Sequence, residues 1–161
     1  ILMILVDTLQ TLPSFVYLMP VVMLFRVGDF SAMIAVVAYA IAPAIRYTDL
    51  GIRKIPQTLI EGATASGCTP RQMRWKVKLP LAFPEIMLGI NQTLIFSLFM
   101  VIIGAFIGTT DLGQLILKAI SQAQGTGIGI TLGLCVAFIG LAVDQIIRTW
   151  ANERKKILGI A

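Results

Sequence analysis

The sequence predicts an all-α membrane protein: a bundle of about four transmembrane helices with one long, basic, two-helix loop on its cytoplasmic side. Three observations support that class. Hydrophobic residues make up 57% of the 161 and charged residues only 13%, against the roughly one quarter that a soluble domain uses to solvate its surface. Mean hydropathy is +0.88. Charge-free windows recur at close to the ~20 apolar residues a helix needs to cross the hydrocarbon core. These windows lack the strict apolar–polar alternation of a membrane β-strand, which leaves helices.

The elements follow in order. A window over Thr8–Ile45 is interrupted only by Arg26 and Asp29, which splits it into spans over 8–25 and 30–52. The second span takes in Arg46 and Asp49, expected near the headgroups or against a neighbouring helix, where long basic side chains snorkel at modest cost. Pro13, Pro20 and Pro43 are expected to bend these first two helices. A third span is expected over 86–108 and a fourth over 122–146. Between them, Leu112, Leu115, Ile116, Ala119 and Ile120 repeat at helical spacing and predict a short amphipathic helix in an external segment, 110–121. Small residues recur as Gly104 and Gly108, and as Gly125, Gly127, Gly129, Gly133 and Gly140, where they permit close helix approach. Asn91, Gln92, Thr93 and Ser97 are expected to put polar groups on one side of the third span. Hydrogen bonding between helices explains them, and a path for solute is the second reading. Asp144 is expected at the cytoplasmic interface, with Arg148 one turn on. The chain opens on Ile1 within an apolar run, so earlier helices are expected upstream.

Orientation follows from the basic residues. Arg53, Lys54, Arg71, Arg74, Lys76 and Lys78 lie between the second and third spans, and Arg148, Arg154, Lys155 and Lys156 follow the fourth. The other two connections hold only Arg26 and Lys118. By the positive-inside rule the loop at 53–80 and the C-terminus face the cytoplasm. Topology thus accounts for the net charge of +5, and nucleic acid is not an expected partner; lipid is. Cys68 and Cys135 fall in different regions, so a disulfide is not expected. Without a histidine a zinc site lacks ligands. No paired-carboxylate or nucleophile arrangement points to an enzyme, and no catalytic residue is assigned.

The loop at 53–80 is too long and too patterned for a passive connector. Pro56 suits a first helical position, Leu59, Ile60 and Ala63 give an apolar face, and Glu61 sits early, where the helix dipole favours an anion. Gly67 suits the left-handed residue that ends such a helix. Thr69, Pro70, Arg71 and Gln72 then start a second helix with a Thr cap, Pro at the first position and Gln three residues on, and Pro80 is expected to end it. Two short helices meeting at a Gly67 corner would expose Leu59, Ala63, Met73 and Trp75, at a cost that a docking partner removes. A DNA-reading helix-turn-helix is a poor fit for a loop tethered at both ends to membrane helices.

At this point a family resemblance enters. Glu61-Gly62-Ala63, Gly67 four residues on, and Leu79-Pro80 resemble the EAA signature in permease subunits of ABC-type importers, with Gly62 where the family usually has Ala, a change of about 1 kcal/mol in helix propensity. Gln10-Thr11-Leu12-Pro13, Phe15-Val16-Tyr17-Leu18, Met23-Leu24-Phe25, Pro70-Arg71-Gln72-Met73, Gly89-Ile90-Asn91-Gln92-Thr93 and Asp111-Leu112-Gly113-Gln114 are similar to the glycine betaine/proline (ProW-like) branch. The resemblance covers nearly the whole chain and implies a type I importer core lacking the branch's usual N-terminal helices.

It also implies partners and a mechanism: a second, identical permease subunit with the solute path between the two; cytoplasmic ATPases that each receive one EAA loop; and an external substrate-binding protein. The chain has no G-x-x-x-x-G-K-[ST] phosphate loop, so ATP and Mg would be used by the partner ATPase. Glu61 and Gly67 are the residues expected to carry coupling, Glu61 through loop geometry or ATPase contact and Gly67 through the corner. The setting would be a bacterial or archaeal plasma (inner) membrane. Glycine betaine, proline betaine, choline, carnitine and trimethylamine N-oxide all remain open as solutes, as does an amino acid. The rival from another class is an ion-coupled secondary transporter, for which Arg46, Asp49 and Asp144 are the ionisable candidates.

Overall fold

The computed structural model describes residues 2–122 and 126–157, and every regular element among them is helical. Ten residues of α1 (Leu2–Thr11) are followed by α2 (Ser14–Phe25). The segment expected as one span over 8–25 is therefore two helices. Pro13 lies in an extended conformation between them (φ −57°, ψ 140°), and its missing N–H and ring bulk account for the break. Alone, α2 is about 18 Å long, short of the bilayer core. Among the described residues, three helices are long and apolar enough to cross: Asp29–Arg53, Pro70–Ile107 and Gly127–Ile157.

Arg26 and Gly28 turn the chain with positive φ (69° and 143°), and α3 (Asp29–Arg53) runs back toward the basic loop. Pro43 is accommodated within it. The loop holds α4 (Gln57–Ala65) and the short turn α5 (Pro70–Gln72), which continues without interruption through a π-helical stretch, Met73–Lys78, into α6 (Leu79–Gly104). Pro80, expected to end the second loop helix, instead lies at the start of a helix that carries on. The reason is local. In the π turn Leu79 N–H bonds to the Arg74 carbonyl, and the widened ring leaves room for a proline ring that would otherwise meet the carbonyl four residues back.

The central pair is α3 and α6, which pack side by side along their length, with α1 and α2 against α3 and with α7 (Leu112–Ser121) and α8 (Thr126–Ile157) against α6. Two glycines set their separation. A methyl on Gly51 would stand 2.7 Å from Glu85 Cβ, and one on Gly89 would stand 2.8 Å from Tyr47 Cβ. Gly89→Ala is expected to cost about 1–2 kcal/mol through overpacking, read as a lower melting temperature in detergent; an unchanged midpoint would show that the pair can part freely.

At the end away from the loop, Tyr17, Leu18, Ala35 and Met100 form the buried core, and Tyr39 stands edge-on to Tyr17 at a centroid separation of 5.7 Å. The Asp29 carboxylate accepts the Thr110 N–H and hydroxyl, both at 2.9 Å, tying the α2–α3 turn to the segment before α7. Asp111 caps α7 by accepting the Gln114 N–H. The inward side of α7 is made by Gly113 and Ala119, both buried, while Leu115 and Ile120 of its apolar stripe are exposed. Little of α8 is covered: Ile128, Ile130, Leu134, Phe138, Leu141 and Ile146 are all exposed. It approaches α6 through Gly140, where a methyl would stand 3.3 Å from Leu98. Of the small residues singled out in this region, Gly125 lies outside the described residues.

Candidate functional site

The loop between α3 and α6 is a built unit. It is anchored by Ile55, which is buried, and by an ion pair between Lys54 and Glu85 at 2.7 Å, joining the end of α3 to the start of α6. Pro56 is not the first helical residue but the cap before it, extended at ψ 133°. Gly62 is helical within α4, so Gly in place of Ala does not break the element. The helix closes with a Schellman arrangement: Gly67 N–H donates to the Thr64 carbonyl (2.9 Å) and Cys68 N–H to the Ala63 carbonyl (3.2 Å), while Gly67 takes φ +77°. That conformation is open to glycine at no steric cost.

The next residues restart the helix by reciprocal capping. Thr69 Oγ1 accepts the Gln72 N–H (3.3 Å) and Gln72 Oε1 accepts the Thr69 N–H (2.9 Å), with Pro70 at the first helical position. The α4 helix lies against the π stretch. Two large apolar side chains nonetheless stay in the open, Trp75 at 65% exposure and Leu59 at 48%; Ala63 and Met73 are half-buried. Around Trp75, the residues Arg71, Gln72 and Lys76 line a shallow depression of about 440 Å³. Glu61 is exposed and has no side-chain hydrogen bond or ion pair among the described residues. Leu79 and Pro80 sit where the unit passes into α6.

A second polar group of residues lies further along α6. Asn91 is buried, and its Nδ2 donates to Asp144 Oδ1 on α8 at 2.7 Å. Arg148 Nε donates to both oxygens of Asp144, at 2.9 and 2.8 Å. Asp144 therefore sits level with Asn91, about 9 Å of helix beyond Glu85. Asn91, Gln92, Thr93 and Ser97 do not form one wall, since successive helical residues point roughly 100° apart. Gln92 faces a cavity between α1, α3 and α6. Thr93 and Ser97 donate to carbonyls of their own helix, Gly89 and Leu94.

Each ionisable group named for ion coupling has a counter-ion. Arg46 pairs with Asp7 at 3.1 Å, Asp49 with Arg53 at 2.6 Å and Asp144 with Arg148 at 2.8 Å. Arg46 also donates to Gln10 at 2.7 Å, so it is held by a neighbouring helix, one of its two expected settings. Sequence reasoning did not find Asp7, Tyr47 or Phe96 beside that arginine. A lone carboxylate in the opening apolar run was the available signal.

The chain matches the family model described as "binding-protein-dependent transport system inner membrane component" over residues 1–155. It is 62% identical over 154 residues to the trimethylamine N-oxide transport system permease protein TmoV of Pelagibacter ubique (strain HTCC1062), a stretch covering 96% of this chain and 22% of that protein. To the glycine betaine/proline betaine transport system permease protein ProW of Escherichia coli (strain K12) it is 41% identical over 151 residues, 94% of this chain and 42% of that one. The chain thus spans less than half the length of these relatives. In fold it is similar to an inward-facing MetNI methionine ABC transporter chain, with a TM-score of 0.71 at 23% identity over 90% of this chain and 72% of the other. The chain belongs to the binding-protein-dependent transport system inner membrane components.

Proposed function

We propose that the chain is the permease core of an ATP-driven importer for small solutes with a trimethylated nitrogen, glycine betaine and trimethylamine N-oxide foremost. Two copies enclose the solute path, an external binding protein delivers the solute, and separate cytoplasmic ATPases hold ATP and Mg. Each ATPase receives one loop of residues 53–80, which faces the cytoplasm with the C-terminus. The observation that carries the docking role is Trp75, a tryptophan 65% exposed on a doubly capped, ion-pair-anchored unit. Rigid presentation of an aromatic anchor is the usual make-up of an interface hot spot. The solute class is supported by the identity to permeases named for trimethylamine N-oxide and glycine betaine.

The test is uptake into proteoliposomes holding the full-length permease, its ATPase and its binding protein, with labelled glycine betaine, trimethylamine N-oxide and methionine supplied in turn. ATP-dependent accumulation of the two methylated solutes is the expected result. Accumulation driven by an ion gradient without ATP would overturn the importer reading; ATP-driven uptake of methionine alone would overturn the solute class. Glu61→Ala is expected to weaken ATPase co-purification a few-fold, about 0.5–1 kcal/mol for an exposed charge. Unchanged co-purification would remove Glu61 from the contact.

A further inference from the structure

The cavity between α1, α3 and α6 has a volume of about 320 Å³, and Gln10, Arg46, Tyr47, Gln92 and Phe96 are among its walls. That is the low end of small-ligand pockets, suited to a solute of fewer than about ten heavy atoms. Its chemistry is two-sided. Arg46 uses only Nη1 in its bonds to Gln10 and Asp7, which leaves the Nε and Nη2 donors of the guanidinium to meet an oxyanion. The Gln10 and Gln92 carboxamides add neutral donors. Opposite in character are the Tyr47 and Phe96 rings, whose faces attract a methylated ammonium that has no N–H to donate.

The position of the charges points the same way. Arg46 lies eight residues, about 12 Å of helix, before Lys54 at the loop end of α3, well inside the span. Its side chain and that of Asp7 are 52% and 51% exposed. An ion pair within a membrane helix that is half open borders a water-filled cavity in the usual case rather than lipid.

We infer that this cavity is a permease-side subsite for the solute in transit, a small zwitterion whose trimethylated nitrogen rests on Tyr47 and Phe96 while its oxyanion meets Arg46. The inference rests on the solute class proposed above. The subsite binds weakly, because a path that held its cargo tightly would not release it.

The experiment is equilibrium dialysis of labelled glycine betaine against the purified full-length permease–ATPase complex without binding protein, paired with proteoliposome uptake by the wild type. Saturable binding in the millimolar range is expected, weakened about tenfold in Arg46→Gln and in Phe96→Ala, in keeping with the loss of one charged or cation–π contact. Choline, which has the methylated head without the oxyanion, is expected to compete poorly, and Arg46→Gln to lose the difference between the two ligands. Phe96→Trp keeps an aromatic face and supplies a second readout that does not depend on a truncation folding: betaine is expected to change its emission saturably over the wild-type background. A wild-type complex that transports betaine yet shows no saturable binding, or equal binding in wild type and both variants, would overturn the subsite and leave the proposed function standing. A wild type that imports neither methylated solute would overturn the proposed function, and the subsite with it.

Discussion

Gly67→Val is expected to lower ATP-driven uptake about tenfold while the protein still inserts and melts near its normal temperature. The sequence alone suggests that any side chain at this corner would clash, so that Gly67→Asp would abolish coupling. The structure assigns a different cause. A methyl at Gly67 would meet nothing within 4 Å, but the residue holds φ +77°. The penalty is conformational, of order 1–3 kcal/mol for a residue forced into the left-handed region and heaviest for a β-branched one. Released from that conformation, the Schellman closure of α4 opens and the angle between α4 and the Thr69-capped turn is lost. Leu59 on one side and Trp75 on the other then no longer reach a partner together, and about 1.4 kcal/mol of lost docking is already a factor of ten. Asn, which enters the left-handed region readily, should restore most of the uptake. Asp should fall between, since it shares that tolerance but adds a charge in the space left for the partner. The check is proteoliposome uptake with ATPase co-purification for the Val, Asp and Asn variants. A Val variant as active as wild type would mean that the corner angle does not matter to coupling.

The loop is not a flexible tether. The second loop helix passes through the π stretch into α6 without a stop, so a push on Trp75 bears on a continuous rod of residues 70–107. The Lys54–Glu85 pair and the glycine contacts at Gly51 and Gly89 fix that rod to α3. Movement of the loop thus has a stiff route into the pair of helices that line the cavity around Arg46.

Much of this was legible in the sequence because it rests on local rules. The cap at Thr69, the turn at Gly67 and the long apolar runs each follow from a few neighbouring residues, and the structure places there a capping box, a left-handed glycine and, among the described residues, three helices long and apolar enough to cross a membrane. What was hidden depends on local backbone geometry that residue order does not announce, or on partners distant in the chain. Pro80 reads as a stop unless the preceding turn is known to widen into a π helix. Pro13 reads as a bend, yet it separates two helices. Asn91, Gln92, Thr93 and Ser97 look like one polar stripe because they are close in sequence, while a helix turns them toward α8, toward α1 and back onto their own carbonyls. The Asp7–Arg46 pair spans most of two helices, and no periodicity announces it.

The α8 helix offers a sharp stability test, because few groups join it to α6. With most of its large apolar side chains uncovered, its contact with α6 rests on the Gly140 approach, the edge-on Phe83–Trp150 pair and the Asn91–Asp144–Arg148 group. Asp144→Ala removes two bonds from Arg148 and one from Asn91, leaving the buried carboxamide nitrogen without its acceptor. A buried charge network broken on one side costs about 3–5 kcal/mol, whereas interhelical polar contacts in bilayers average nearer 0.6 and reach about 1.7 kcal/mol. Asp144 is 24% exposed and Arg148 58%, so the arginine can turn to water and only the Asn91 side is fully stranded. A loss of stability, seen as a lower melting temperature in detergent, is the expected result, most of it from the stranded Asn91 side. Asn91→Ala combined with Asp144→Ala separates the shared contact from the rest. If the two side chains form one clamp, the double variant should be no more than slightly less stable than Asp144→Ala alone, because the second truncation removes a partner already orphaned. Strict additivity would mean that the 2.7 Å contact does not hold α8 in place.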